Sequence, residues 1–147
     1  GEGGECGVVV QSIRSTTFRS AAHHPSCMLE DGEACWVSKG GAGERLALTF
    51  QRPFSLAGLS VTFQGGFAAR SMVIRAAPCA DSPDEALDEV DELEPEDVNE
   101  EQRLELEAPV ARCGRLLITF PRTYDMFGRV AIYRLRFLTP TPPPGGE

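Results

Sequence analysis

The stretch that most constrains the fold of this chain is residues 116–138. Apolar side chains alternate there in two runs, first Leu116, Ile118 and Phe120, then Ala131, Tyr133, Leu135 and Phe137. Period-two alternation is typical of a half-buried β-strand, so the stretch predicts two strands joined by a short loop. Pro121 is expected to end the first strand because it lacks a backbone N–H, and Gly128 gives the loop its freedom. Neither face carries a catalytic group, which indicates a scaffold.

The same alternation recurs upstream and predicts an all-β fold. It favours further strands at residues 8–13, 46–50, 59–63, 72–77 and 104–106. Pro53 is expected to break the second of these because proline cannot donate to the strand ladder. Residues 86–93 fit either a helix or an acidic edge strand. About seven or eight short strands without long helical periodicity predict an antiparallel β-sandwich or jelly roll.

The length of the chain fits one domain. It has 147 residues and a mass of 15.9 kDa, enough to bury a core. We expect this domain to occupy residues 8–138, between a flexible N-terminus at 1–7 and a Pro/Gly-rich tail at 139–147. Apolar runs are only a few residues long, too short for a transmembrane helix.

Charge is distributed unevenly along the chain. The net charge is −8, but residues 81–107 hold fourteen acidic side chains and one arginine, so they carry −13 and the remainder carries +5. This acidic segment is either a solvated face or a docking strip for a basic partner. A net acidic chain without aromatic residues interleaved among its bases does not favour nucleic-acid binding.

Cysteine usage indicates a reducing compartment. The five cysteines are odd in number and form no CxxC pair, and Asn99 is not in a glycosylation sequon. Residues 1–5 lack the basic start and the apolar run of a signal peptide. We therefore expect free thiols and a cytoplasmic or nuclear location.

Several segments carry a resemblance to a known family. The first contains Leu29, Asp31, Gly32, Cys35 and Trp36 and is followed by the alternating strand at 46–50. Residues 63–67, 95–99 and 125–136 extend the match in order. Together they resemble the discoidin domains, also called coagulation-factor C-type domains, and especially a small free-standing intracellular member. The resemblance implies a galactose-binding-like jelly roll.

The resemblance further implies a non-catalytic binding module that uses loops at one end of the barrel. By this analogy the loops to examine are residues 39–45, 65–70 and 122–127. The candidate binding residues are Gln64, Gly65, Gly66, Phe67, Asp125, Phe127, Gly128 and Arg129. They are either contact residues or structural signatures, and Arg129 is expected to brace the loop beside Asp125.

Arg134 and Arg136 are a secondary candidate. They share one face of the last predicted strand and form either a basic stripe or internal pairs with the acidic segment.

These observations predict a protein-interaction or adaptor module, a subunit of a larger assembly. The alternative is a small-ligand binder, of a carbohydrate or another polar molecule, at the same loops. An exposed aromatic residue beside Arg and Asp in a pocket would favour the small ligand. A large apolar patch would favour the adaptor.

Catalytic and cofactor signals are weak. No Gly-x-Ser-x-Gly elbow exists, Cys113 has no identifiable base, and residues 40–43 lack the Gly-Lys-Ser/Thr of a phosphate loop. Enzymatic activity and a cofactor are therefore not expected.

Metal and membrane binding are not expected either. His23 and His24 match no zinc-site spacing with the cysteines. Family members that bind calcium use a hydroxyl before the tryptophan and a carboxylate on the last strand, where this chain has Cys35 and Arg134. The loop at 39–45 lacks an apolar tip for a membrane, and anionic lipid would repel the acidic segment.

Overall fold

A computed structural model describes residues 8–41 and 43–140. The predicted N-terminal segment 1–7 and nearly all of the predicted tail lie outside these residues. The described strands are β1 (Val10–Ser15), β2 (Trp36–Val37), β3 (Glu44–Phe63), β4 (Ala69–Ala77), β5 (Asp88–Leu93), β6 (Glu101–Thr123) and β7 (Ala131–Leu138). Short 3-10 helices cover Ala21–His23, Pro25–Leu29 and Asp84–Ala86.

All strand pairs are antiparallel, in the order β2-β7-β3-β6-β4-β5, with β1 on β3. The long strands β3 and β6 run side by side and organise the fold. The first half of β3, residues 44–50, lies between β1 and β6, whereas its second half, residues 58–63, lies between β7 and β6. Register shifts between Thr49 and Gly58 mark the bend, because bulges let a strand turn from one layer to the other. The predicted all-β jelly roll is confirmed.

Two predicted strand ends are wrong because the prolines fall where the ladder is already interrupted. The β3–β6 register skips from Thr49 to Phe54, and Pro53 lies in that skip. The β4–β6 register skips between Arg122 and Thr119, and Pro121 lies there. A proline at a bulge removes no ladder hydrogen bond, so both strands continue through it.

The two strands predicted in residues 116–138 are present, as the end of β6 and as β7, joined by a short loop. β6 and β7 are consecutive but not neighbours in the sheet, since β3 lies between them. The β6–β7 loop (residues 124–130) therefore connects two layers rather than closing a hairpin. Of the two alternatives for residues 86–93, the edge strand is confirmed: β5 pairs with β4 alone.

The core fills the space between the layers with the alternating apolar faces. Trp36 is fully buried, and its ring centroid lies 5.8 Å from that of Phe120. Near the bend, Phe50, Phe54 and Phe137 form a cluster of edge-to-face contacts with centroids 4.8–6.4 Å apart. Each fully buried large side chain contributes about 1.5–3 kcal/mol, so this core is the main source of stability.

Candidate functional site

Three loops meet at one end of the sandwich, which we call the loop end. They are the β2–β3 loop (described residues 38–41 and 43), the β3–β4 loop (64–68) and the β6–β7 loop. Backbone hydrogen bonds join the first and third from Gly41 N to Phe127 O (2.9 Å), and the second and third from Tyr124 N to Ala68 O (3.1 Å). The loops expected from the family resemblance therefore form one surface.

Two glycines allow the β2–β3 and β6–β7 loops to touch. A Cβ on Gly40 would lie 2.6 Å from the Phe127 carbonyl oxygen, and a Cβ on Gly128 would clash with the Gly41 carbonyl oxygen. Both glycines also have positive φ, 101° and 80°, a conformation that side chains rarely adopt. Position 128 therefore requires glycine for two reasons, the close approach of the neighbouring loop and the positive φ.

Asp125 and Arg129 brace the β6–β7 loop, as predicted. The Asp125 carboxylate accepts from Arg129 Nε (2.9 Å) and Nη2 (3.1 Å), and from the backbone N–H groups of Phe127 (3.2 Å) and Arg129 (3.0 Å). These donors, the Arg129 side chain first, lower the pKa of Asp125, and the carboxylate raises the pKa of Arg129. The side chain of Asp125 is only 10% exposed, so its carboxylate is committed to the loop.

The arginines at the loop end also contact aromatic rings. Arg129 Cζ lies 5.2 Å from the Phe67 centroid and 5.3 Å from that of Phe127, and Arg70 Cζ lies 4.3 Å from that of Tyr124. Such cation–π contacts are weakly attractive at exposed sites. They hold the aromatic side chains in place while leaving them accessible.

The braced loop presents an apolar tip, formed by Tyr124, Met126 and Phe127. Met126 is 86% exposed and Phe127 is 65% exposed, and Tyr124 is also exposed. The tip borders an open cleft of about 600 Å³ that Arg70 and Arg122 also line. Sequence reasoning missed Tyr124, Met126 and Arg70, although three large apolar residues in a connecting loop are a signal that could have found them.

The predicted site residues around Gly65 have a different setting. Gly65 N donates to Asn99 Oδ1 (2.6 Å) and Gly66 N to Asp97 Oδ1 (2.8 Å). Gln64 N donates to Ala131 O (2.9 Å). These contacts use backbone groups, so Gln64, Gly65 and Gly66 shape the β3–β4 loop while Phe67 supports the apolar tip through Arg129.

Arg134 and Arg136 lie away from the loop end and hold a turn. Arg134 Nη1 donates to Gly32 O (3.3 Å), and Arg136 Nη2 pairs with Asp31 Oδ1 (2.9 Å). Asp31 is outside the acidic segment that the sequence offered as a partner. Two guanidinium groups thus face the turn that contains Asp31 and Gly32. Residues 8–41 and 43–140 contain no group of three or more His, Cys, Asp or Glu side chains that could hold a metal ion.

Comparison with known proteins identifies the family. The chain is 37% identical over 109 residues to the nuclear receptor 2C2-associated protein of Mus musculus, covering 74% of each chain. The Homo sapiens protein of that name is 35% identical over 109 residues, with the same coverage, and the Danio rerio protein 32% over 107 residues, covering 72% of each chain. The chain belongs to the nuclear receptor 2C2-associated protein family. No protein-family model matches it.

Solved structures place this nuclear receptor 2C2-associated family member in the discoidin fold. The CBM32-1 and CBM32-2 domains from Clostridium perfringens ZmpB superpose with a TM-score of 0.77 at 14% identity, covering 90% of this chain and 35% of that one. An F5/8 type C domain from Bacteroides fragilis gives 0.75 at 14% identity, covering 93% and 99%. Both parts of the predicted resemblance, family and fold, are confirmed. In the part of the chain that the structure describes, no helix is long and apolar enough to cross a membrane.

Proposed function

We propose that the protein is a non-catalytic interaction module, an intracellular subunit of a larger assembly, that docks a partner protein on its apolar tip. The observation that supports this proposal most is that Met126 and Phe127 are exposed on a loop whose backbone is fixed by Asp125 and Arg129. A few buried anchor side chains supply most of the binding free energy of an interface, and aromatic residues and Met are enriched at interface cores. A loop already held in shape loses little entropy on binding, which favours affinity.

The relatives' name supplies the first partner to test. They are named for association with nuclear receptor 2C2, and we propose that receptor as the protein that covers the apolar tip. Burial of a Phe or Met side chain is worth about 1.5–3 kcal/mol, so loss of one should weaken binding by roughly tenfold or more.

The test is direct binding of the purified protein to purified nuclear receptor 2C2 by isothermal titration calorimetry. We expect Phe127→Arg to weaken binding by roughly tenfold or more, and Met126→Leu, which keeps an apolar side chain, to bind like the wild type. Circular dichroism and the thermal midpoint check that both variants fold. Equal affinity of the folded Phe127→Arg protein would refute the proposed surface.

A carbohydrate ligand is the second candidate because Phe127 lies beside an open cleft lined by Arg70 and Arg122. A related fold has been solved with galactose, the family 32 module from C. perfringens NanJ, at a TM-score of 0.69 and 13% identity. Against this, the Asp125 carboxylate already accepts from Arg129 and two backbone N–H groups, which leaves it poorly placed for sugar hydroxyls. Galactose titration of the same variants, followed by NMR, separates the carbohydrate candidate from the partner protein. A galactose-dependent chemical shift change that is lost in Phe127→Arg would favour the carbohydrate.

A further inference from the structure

A second surface lies on the outer face of the layer that contains β1, β3, β6 and β4. It is a shallow concavity of about 550 Å³. Four arginines from four different strands line it, with two apolar residues between them: Arg14, Arg45, Arg75 and Arg115 around Ala47 and Leu117. We call this the basic face.

The strand register sets the spacing of the basic face. Arg14 is opposite Ala47, Ala47 is opposite Leu117, and Leu117 is opposite Arg75, so these four lie in one row across the strands. Three strand spacings separate Arg14 from Arg75, about 14 Å. Arg45 lies two residues from Ala47 on β3, and Arg115 two residues from Leu117 on β6, on opposite sides of the row. The arginines therefore surround an apolar floor.

The charge of the basic face is only partly neutralised. Among the described residues, the side chains of Arg14 and Arg45 have no ion-pair partner. Arg115 pairs with Asp84 (2.5 Å) and Arg75 with Glu89 (3.7 Å), but Asp84 is 84% exposed. The Arg75–Glu89 pair is exposed on both sides, at 39% and 56%, and such pairs are weak, so a competing carboxylate can displace Glu89. The Arg115 side chain is 21% exposed and also donates to Ser82 O (2.6 Å), which holds it in place at the edge of the face.

We propose that the basic face binds an acidic, extended segment of a partner protein. Every second residue of an extended peptide points to the same side, about 6.8 Å apart, so residues i and i+4 span about 14 Å. A peptide laid along the row brings an acidic residue at i to Arg14, an apolar residue at i+2 to Ala47 and Leu117, and an acidic residue at i+4 to Arg75. Arg45 and Arg115 flank the middle of this peptide.

Nucleic acid fits this face less well. No aromatic side chain is among the described residues that line the concavity, so bases would find nothing to stack on.

The test uses a fluorescent peptide with Glu, Leu and Glu at alternate positions separated by Ser, titrated by fluorescence anisotropy at low salt. We expect saturable binding, weakened roughly tenfold or more by Arg14→Glu with Arg45→Glu. Arg52→Glu is the matched control, since Arg52 is also exposed but does not line the concavity, and should bind like the wild type. A peptide with Lys in place of Glu should not bind.

Equal binding by the Arg14→Glu, Arg45→Glu protein, or equal loss in Arg52→Glu, would overturn the proposal. So would tighter binding of a labelled DNA duplex than of the peptide. Absence of peptide binding together with self-association that Arg14→Glu abolishes in sedimentation velocity would also overturn it, since the occupant would be the acidic segment of a second copy. Thermal unfolding of each variant establishes that it is folded.

Discussion

The Asp125 carboxylate fixes the β6–β7 loop because it accepts four hydrogen bonds from that loop. We expect Asp125→Asn to lower the free energy of unfolding by about 1–2 kcal/mol at neutral pH, since hydrogen bonds to a charged group are lost. Urea denaturation measures this difference. Asp31→Asn is the matched control: Asp31 also pairs with an arginine but is 93% exposed, so its change should be below about 0.5 kcal/mol.

The same residue predicts a pH dependence. Its partners hold the pKa of Asp125 below the ordinary value of 3.8. A carboxylate with a depressed pKa stabilises the fold fully above that ordinary value and loses this contribution as pH falls through the lower folded pKa. The stability difference between the wild type and Asp125→Asn should therefore be constant near neutrality and shrink below about pH 4. A difference that stays constant down to pH 2 would contradict the role of the charge.

At the level of elements, the loop end depends on the contact between the β2–β3 and β6–β7 loops. Gly128→Ala introduces a clash with Gly41 in addition to strain at φ 80°. Gly66→Ala introduces similar strain, at φ 91°, with no atom within 4 Å of the new Cβ. We expect Gly66→Ala to cost about 1–2 kcal/mol, and Gly128→Ala about 1–3 kcal/mol more because of overpacking.

Chemical denaturation of the two glycine variants measures this contrast, and nuclear receptor 2C2 titration adds a functional readout. Equal stabilities would mean that the loops separate easily and that the apolar tip is not pre-organised. If the Gly128→Ala protein is folded but binds nuclear receptor 2C2 more weakly than the Gly66→Ala protein does, the contact between the two loops holds the apolar tip in its binding position.

The sequence predicted which segments form strands better than where the strands end. Alternation found the pairs at 46–50, 59–63 and 72–77 because a two-layer fold buries one face of each strand. Pro53 and Pro121 misled because proline ends a strand only where its N–H would join the ladder, and a bulge is invisible in composition. Strand pairing across layers likewise depends on contacts distant in sequence.

The candidate site was predictable in part for a similar reason. The predicted brace between Asp125 and Arg129 spans four residues, a local pattern that the sequence shows. The contact of Arg70 with Tyr124 joins two loops distant in sequence, and only the fold brings it together. The apolar tip is an intermediate case. Its residues are close together in sequence, so the cluster itself is visible there. Their exposure is not visible, because it depends on which apolar residues the folded core leaves out.

For the whole molecule, the acidic segment is separate from the arginines in sequence but lies next to the basic face in space. The acidic segment contributes the edge strand β5, whose Glu89 and neighbouring Asp84 stand beside the basic face. An acidic edge strand resists pairing with another chain, so it protects a sheet edge that is otherwise free to extend. The basic face and the apolar tip are the surfaces that we propose for partners, one electrostatic and one apolar.

The core is expected to open as one cooperative unit, and Cys113 reports it. Cys113 is fully buried at the bend of β3 and β6, opposite Phe54, whereas Cys79 is exposed. Burial, which dominates over the Arg115 carbonyl contact, raises the pKa of Cys113 from 9.0 to about 12. We therefore expect iodoacetamide at pH 8 to modify Cys79 rapidly and Cys113 only through unfolding, with a urea dependence equal to that of global unfolding.

Peptide mass spectrometry resolves the two sites, and the outcome decides how the bend is held. Rapid modification of Cys113 in native protein would show that the bend opens without the rest of the core. The raised pKa also fixes a pH direction: stabilisation by the neutral thiol is complete below pH 9 and is lost as pH rises toward 12, because the unfolded chain releases its proton first. Cys113→Ala removes that dependence, so the stability difference between Cys113→Ala and the wild type should change with pH above 9 and stay constant below it.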